Sequence, residues 1–125
     1  MGLDMYLYRK THVVRAGKKI IVSEQVAYWR KANAIHKWFV DNCQDGVDDC
    51  RLATVRVTQL AELVGVCKQV LAQPELAAQL LPTMEGHFFG STDYDEGYLD
   101  HLRLTVKRLE PLTEDDAYEY HSAWG

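Results

Sequence analysis

The stretch YWRKANAIHKWF, residues 28–39, carries the pattern that decides the fold. In a helix, each residue lies about 100° further round the axis than the one before it. Four apolar side chains then share one face: Tyr28, Ala32, Ile35 and Phe39. Three polar side chains lie opposite, where water would surround them: Arg30, Lys37 and Asp41. This separation predicts an amphipathic helix over Tyr28–Asn42 whose apolar face packs on a core.

The same helix would place Trp29, Asn33 and His36 in one row beside the core, at spacings of four and three residues. An indole can stack on a ligand ring, while an amide and an imidazole can hydrogen-bond to the polar edge of that ring. Arg30 or Lys31 could neutralise a negative charge on the ligand. The row therefore predicts a binding surface for a nucleotide-like molecule. The alternative is a structural row in which Asn33 and His36 hydrogen-bond to the backbone.

A second motif, GSTDYDE over Gly90–Glu96, stands at the start of a predicted helix. Four of its residues are candidate ligand contacts: Ser91, Thr92, Asp93 and Tyr94. Free backbone N–H groups at a helix start can bind an anion. The acidic side chains of Asp93, Asp95 and Glu96 oppose a phosphate there, because they already neutralise the helix dipole. We expect this motif to face the first one across a pocket.

The predicted elements alternate irregularly along the chain. Local alternation and composition predict five short strands: Leu3–Arg9, Lys19–Val26, Leu52–Val57, Met84–Gly90 and Ala117–Trp124. Apolar spacing and caps predict three main helices: Tyr28–Asn42, a helix from an N-cap at Thr58 to before Pro74, and Tyr94–Leu109 with Asp93 as N-cap. The result is an α+β fold, a single domain over residues 1–125 with a mixed or antiparallel sheet of about 4–5 short strands. Edge strands at both termini would favour a homodimer.

The composition matches an ordinary globular protein, with 47% hydrophobic and 26% charged residues in 125. The net charge of −4 argues against general binding to nucleic acid or to an anionic membrane. No apolar run reaches the length of a membrane span, and three cysteines at irregular spacing favour a reducing compartment. We therefore expect a cytoplasmic protein that uses no cofactor.

Residue types that bind metals form no recognisable site pattern. The acidic loop that starts at Asp41 has Cys43 at the third position of a calcium loop and Leu52 at the twelfth, where a carboxylate is needed. The three cysteines form no CxxC pair, and no HExxH motif occurs. We expect no metal site, and we expect Cys67 to lie in the core because it falls on the apolar stripe of its helix.

Four stretches resemble an uncharacterised family of small bacteriophage and prophage proteins. They are GLDMYLY (2–8), YWRKANAIHKWFV (28–40), GSTDYDE (90–96) and the tail YHSAW (120–124), so the resemblance covers nearly the whole chain. Some members carry a phosphoglycerate kinase label, which this sequence does not support because the chain is too short and has no phosphate-binding motif. The resemblance implies a phage accessory protein in the host bacterial cytoplasm, with an anti-defence role by analogy.

Three functions follow as hypotheses. The first is a binding protein for a small nucleotide-like ligand or a host factor. The second is a protein inhibitor of a host defence complex such as CRISPR, acting through an acidic surface: Asp45, Asp48, Asp49 and Glu114–Asp116. The third is a small enzyme in which Asp93 orients His36 as a general base. The sequence offers no clear nucleophile or oxyanion hole, which favours binding over catalysis.

Overall fold

In the computed structural model, which describes residues 2–86 and 88–124, the chain begins with a long antiparallel hairpin. Strand β1 spans Asp4–Arg15 and β2 spans Lys18–Arg30. The turn residues Ala16 and Gly17 have φ of 51° and 76°, the pair of left-handed conformations that suits a two-residue hairpin turn. Both strands are longer than predicted, because their outer halves pair with each other beyond the rest of the sheet.

The sheet has four antiparallel strands in the order β2-β1-β4-β3, with β3 over Ala53–Val55 and β4 over Ala117–Ala123. The predicted α+β class and antiparallel sheet are confirmed. The expectation of edge strands at both termini is wrong, because β4 pairs with β1 on one side and with β3 on the other. The terminal strands are therefore central, and the homodimer prediction loses the reason on which it was based.

Three long helices and one short helix complete the fold. Helix α1 spans Asn33–Cys43, α2 spans Val57–Ala72, α3 spans Ala77–Leu80 after a 3₁₀ turn, and α4 spans Glu96–Leu109. The three long helices correspond to the three main helices expected from the sequence. None of the helices in residues 2–86 and 88–124 is long and apolar enough to cross a membrane.

The first helix starts later than predicted. Tyr28, Trp29 and Arg30 belong to β2 and pair with the first residues of β1. Their exposure alternates as in a strand, since Trp29 is buried between two exposed neighbours. Lys31 then adopts a φ of 56° and ends the strand. A helical period read across this junction joined residues of two elements, so the predicted row of Trp29, Asn33 and His36 does not exist.

Two predicted helix caps are also displaced. Asp95, not Asp93, accepts a hydrogen bond from the Tyr98 N–H at 3.0 Å and caps α4. Helix α2 begins at Val57, so Thr58 lies inside it. Both Asp93 and Asp95 precede α4, and packing decides which of them reaches the free N–H groups.

The segment predicted as a strand over Met84–Gly90 is irregular in its described residues, 84–86 and 88–90; residue 87 lies outside the described chain. Its backbone bonds to other groups instead of a strand: the Leu3 N–H donates to the Phe88 carbonyl at 3.2 Å, and the Met84 N–H donates to Asn33 Oδ1 at 3.0 Å. Phe89 still reaches the core and is buried. The apolar character of the segment therefore reflects the burial of Phe89.

The core lies between the three long helices and one face of the sheet. Trp29 is 1% exposed and its indole N–H donates to Thr105 Oγ1 at 2.9 Å, which joins β2 to α4. Phe39 stacks on Tyr120 at a centroid distance of 4.0 Å, which joins α1 to β4. Cys67 is fully buried on α2, as expected.

We predict that Trp29→Phe lowers the free energy of unfolding by about 1 to 3 kcal/mol, because the variant loses the bond to Thr105 and leaves space in the core. Urea denaturation measures the change. The matched control Trp38→Phe alters a partly exposed indole and is expected to cost less than about 1 kcal/mol. Equal losses in the two variants would contradict the buried position of the Trp29 indole.

Candidate functional site

A hollow of about 170 Å³ lies between the start of α1 and the loop that leads into α4. The two sequence motifs therefore do close over a common space. Its lining residues come from both motifs and from α4: Lys31, Asn33, Ala34, Thr83, Gly90, Ser91, Asp93, Asp95, Gly97, Tyr98 and His101. Of the eight residues predicted as ligand contacts, only Asn33, Ser91 and Asp93 are among them.

Asn33 forms the floor of the hollow and holds its two walls together. Its side chain is almost fully buried; Nδ2 donates to the carbonyls of Phe89 at 3.0 Å and Ser91 at 2.8 Å. Its Oδ1 accepts from the Met84 N–H at 3.0 Å. Both amide N–H donors are occupied, so Asn33 positions the hollow and has no N–H left for a ligand. This is the backbone-bonded alternative left open by the sequence.

Lys31 supplies the cation of the hollow. Its left-handed φ of 56° is unusual for a residue with a side chain, and its N–H donates to the Leu3 carbonyl at 2.7 Å. The Lys31 stem packs against Gly90, where an added Cβ would lie 3.1 Å from Lys31 Cβ. Gly90 also has a φ of 88°, so glycine suits this position for both conformation and space.

The remaining polar groups make the hollow acidic. Asp93 and Asp95 contribute carboxylates, and Ser91 Oγ accepts a hydrogen bond from the Asp93 N–H at 3.0 Å. Burial lowers the pKa of His101, so its imidazole is neutral at pH 7. Two carboxylates against one lysine oppose a phosphate in the hollow and favour ligand groups that donate hydrogen bonds.

Thr92 and Tyr94 brace the loop and do not line the hollow. Thr83 Oγ1 donates to the Thr92 carbonyl at 2.9 Å, and the Thr83 N–H donates to the Tyr94 hydroxyl at 3.2 Å. The Tyr94 ring packs edge-on against Tyr98 at 5.1 Å. These contacts hold the shape of the loop between Thr83 and α4.

Trp29 and Arg30 lie elsewhere, on opposite faces of β2. Trp29 is in the core, while Arg30 Nη1 donates to Asp4 Oδ1 at 3.0 Å on the open face of the sheet. Strand alternation separates the two neighbours, whereas the predicted helix kept Arg30 near the ligand. Neither side chain lines the hollow.

His36 belongs to a buried network on the other side of α1. Its Nε2 is 2.9 Å from Asp48 Oδ1 and its Nδ1 is 2.6 Å from the Tyr120 hydroxyl. Because a carboxylate only accepts, Nε2 carries the proton and Nδ1 accepts from Tyr120. Burial lowers the pKa of His36 despite the nearby Asp48 charge. The hypothesis that Asp93 orients His36 is wrong, because both ring nitrogens are engaged with other residues.

A larger groove of about 390 Å³ between α2 and the end of α4 is more apolar. Its one acidic side chain, Glu110, is paired with Lys68. None of the ligand contacts predicted from the sequence lines it. Among the described residues, no group of three His, Cys, Asp or Glu side chains is placed to hold a metal ion.

The sequence interpretation named Lys31 as a possible cation for the ligand but missed His101 as a residue of the hollow. It also missed a cluster on the open face of the sheet. This cluster, the aromatic face, consists of Tyr6, Tyr8, Tyr28 and His121. The alternation in the stretch MYLYR, residues 5–9, was a usable signal, because it places both tyrosines of β1 opposite the buried Met5 and Leu7.

We predict that Asn33→Asp lowers the free energy of unfolding at pH 7 by about 3 kcal/mol, because a carboxylate would face the carbonyls of Phe89 and Ser91 and donate to neither. Urea denaturation checks this value. Asn42→Asp is the matched control, since Asn42 Nδ2 donates to the Trp38 carbonyl at the surface; its cost should stay near 0.5 kcal/mol. A neutral Asn33→Asp variant would show that the amide does not hold the loop.

We predict that the protein loses stability as the pH falls from 7 to 5. The folded-state pKa values of His36 and His101 lie below their ordinary 6.5, so in this range the unfolded chain takes up protons that the folded chain refuses. Urea denaturation at several pH values should show the decline, and His101→Gln should reduce its slope. His12→Gln, on the exposed hairpin, is the control; if both variants keep the full slope, burial of His101 is not responsible.

Comparison with known proteins leaves the site to be interpreted from its own chemistry. No protein-family model, no curated protein and no solved structure matches the chain. The resemblance to small phage proteins stays a prediction on the motifs that suggested it. A functional conclusion therefore has to rest on the groups that converge in the hollow.

Proposed function

We propose that this protein binds a small nucleotide-like ligand and holds the base of that ligand in the hollow. The observation that carries the proposal is the convergence of one lysine, two carboxylates and a neutral imidazole around about 170 Å³ of space. Such a combination of polar groups in a concave site is typical of ligand recognition. The two carboxylates supply hydrogen-bond acceptors and the lysine supplies a cation within a single small cavity.

The size and charge of the hollow suit a nucleobase better than a whole nucleotide. Sites for drug-sized ligands span roughly 300–1,000 Å³, so this hollow accommodates one ring system. Asp93 and Asp95 can accept hydrogen bonds from amino or ring N–H groups of a base, as carboxylates do from cytosine. The phosphate would then remain outside, towards the positive end of Lys31.

Binding is favoured over catalysis by the state of the reactive groups. Burial raises the pKa of the Cys43 thiol to about 11 and that of Cys67 to about 12, so neither forms a thiolate nucleophile near pH 7. His36 is fully buried and holds Tyr120 and Asp48. These residues stabilise the fold and offer a substrate no reactive atom.

The biological setting that we propose is a phage accessory role in the host bacterial cytoplasm, in which the protein sequesters a nucleotide signal of host defence. This setting comes from the resemblance of the motifs to small phage proteins. A ligand-sequestering protein needs affinity and a closed shape and needs no turnover. Sequestration requires no reactive group, so a hollow that only binds is compatible with this role.

The second candidate, a protein inhibitor that acts through its acidic surface, has narrower support. Asp45, Glu114 and Asp115 are exposed and could contact a defence complex. Asp48 is bonded to His36, and Asp49 pairs with Arg51 at 2.7 Å, so these two carboxylates are already engaged. Fewer free negative charges remain to imitate nucleic-acid phosphates.

We predict that a panel of nucleosides and nucleotides, including cyclic dinucleotides and cyclic ADP-ribose forms, contains a compound that raises the melting temperature. Calorimetric titration then gives its affinity. Asp93→Asn should weaken binding about tenfold or more, because a hydrogen bond to a charged acceptor is lost. Asp100→Asn, on the exposed side of α4, is the matched control.

Lys31→Gly separates binding from folding. Glycine accepts the φ of 56° without strain, so the variant should keep its stability while it loses the cation of the hollow. Affinity should fall, with thermal denaturation of the free protein unchanged. If no compound binds, or if both site variants bind like the parent protein, the hollow is not a nucleotide site.

A further inference from the structure

The open face of the sheet carries four aromatic side chains, and no helix in residues 2–86 and 88–124 covers them. The helices pack on the face formed by Met5, Leu7 and Tyr120, so the alternate residues point the other way. The Tyr6 ring is the centre of the aromatic face, with ring centroids 5.4 Å from Tyr28, 6.0 Å from His121 and 6.2 Å from Tyr8. Three strands, β1, β2 and β4, contribute to this surface.

The outer part of the hairpin is positively charged in an acidic protein. We call residues 9–25 the basic arm. It holds five cations and one acid, Glu24, for a net charge of +4, whereas the whole chain carries −4. The cations are Arg9, Lys10, Arg15, Lys18 and Lys19. The rest of the chain therefore carries −8, so the charge is strongly segregated.

The aromatic face runs directly into the basic arm. Beyond Tyr8, the next positions of β1 on the same face are Lys10, His12 and Val14, and Lys19 lies opposite Val14. Strand β4 stops pairing at Lys10, so the arm projects as a two-stranded ribbon. Val14 is 69% exposed, which leaves apolar surface beside the cations.

We propose that the aromatic face and the basic arm together bind single-stranded nucleic acid. Four-stranded antiparallel sheets with helices on one side can stack two or three unpaired bases on aromatic side chains of the other side. Stacking accepts any base because every base has a π-face, and adjacent cations hold the phosphates. Here Lys10 and Lys19 lie on the same face as the rings, with Lys10 paired to Glu119 at 3.1 Å, and the other three cations lie on the opposite face of the same two-stranded ribbon.

This site differs from the general nucleic-acid binding that the net charge argues against. The acidic remainder of the chain repels a long duplex, whereas a short single strand can follow the arm alone. Bases stacked inside a duplex also cannot lie on the tyrosine rings. The hollow lies among the helices on the other side of the sheet, so this surface does not depend on the function proposed for it.

Fluorescence anisotropy with a labelled oligouridylate and a labelled oligothymidylate of about 12 nucleotides tests the proposal, because such sites span roughly 4–16 nucleotides. Both single strands should bind at low salt, and a duplex of the same length should bind at least about tenfold more weakly. Preference for one of the two single strands would tell whether RNA or DNA is the natural ligand. Absence of binding to both, or equal binding of the duplex, would overturn the proposal.

Tyr8→Leu tests stacking, since leucine keeps apolar area and removes the ring. We expect a loss of affinity of about tenfold, whereas Tyr8→Phe should bind like the parent protein. Circular dichroism and thermal denaturation confirm that both variants are folded. If Tyr8→Leu binds normally, or if Tyr8→Phe loses as much, ring stacking is not the mode of binding.

The double variant Lys18→Ser, Lys19→Ser tests the arm at its exposed tip. Each phosphate contact adds about 0.7 to the slope of log affinity against log salt for single strands, so the slope should fall by about 1.4. Arg56→Ser, Lys107→Ser is the control, with two exposed cations that belong to neither strand of the arm. An unchanged slope in the arm variant would contradict the proposal. Sedimentation measurements that show the arm pairing two copies of the chain would contradict it as well.

Discussion

The left-handed backbone at Lys31 is the constraint on which the rest of the structure depends. It ends β2 at Arg30 and allows α1 to begin at Asn33, while its N–H stays bonded to the Leu3 carbonyl at 2.7 Å. Strand alternation before this point sends Trp29 into the core and Arg30 to the open face. In a helix these two neighbours would lie about 100° apart, whereas the strand places them on opposite faces of the sheet.

Buried polar side chains in this protein hold segments that have little regular structure. Asn33 bonds to the backbone of Met84, Phe89 and Ser91, three described residues that belong to no strand. His36 plays the corresponding role with Asp48 and Tyr120, where it ties the loop after α1 to β4. An unpaired buried amide or imidazole is costly, so these partners make the two residues parts of the framework. Their less buried neighbours Lys31 and Asp93 are the charged side chains that line the hollow.

The distribution of charge matters more for this protein than its total. The net charge of −4 describes neither the basic arm nor the remainder of the chain. The pairing of β1 with β2 beyond the end of β4 collects the cations on a projecting ribbon. The carboxylates that gather at the start of α4 give the hollow the opposite character. Two surfaces of opposite charge on opposite sides of one sheet can engage chemically different partners without interference.

The sequence by itself determined the α+β class, most of the core and the main elements, apart from residues 28–30 and the strand predicted at Met84–Gly90, because periodicity reports which face of each element avoids water. The sequence also predicted that residues 28–39 and 90–96 face each other across one pocket. Only the tertiary structure decided which side chains face that space. Trp29 and His36 look like ligand contacts in the sequence, but Thr105, Asp48 and Tyr120 are the partners that bind them, and these lie 12 to 84 residues away. Such distant partners leave no local signal, so a polar or aromatic residue beside a core cannot be assigned to folding or to binding until its neighbours are known.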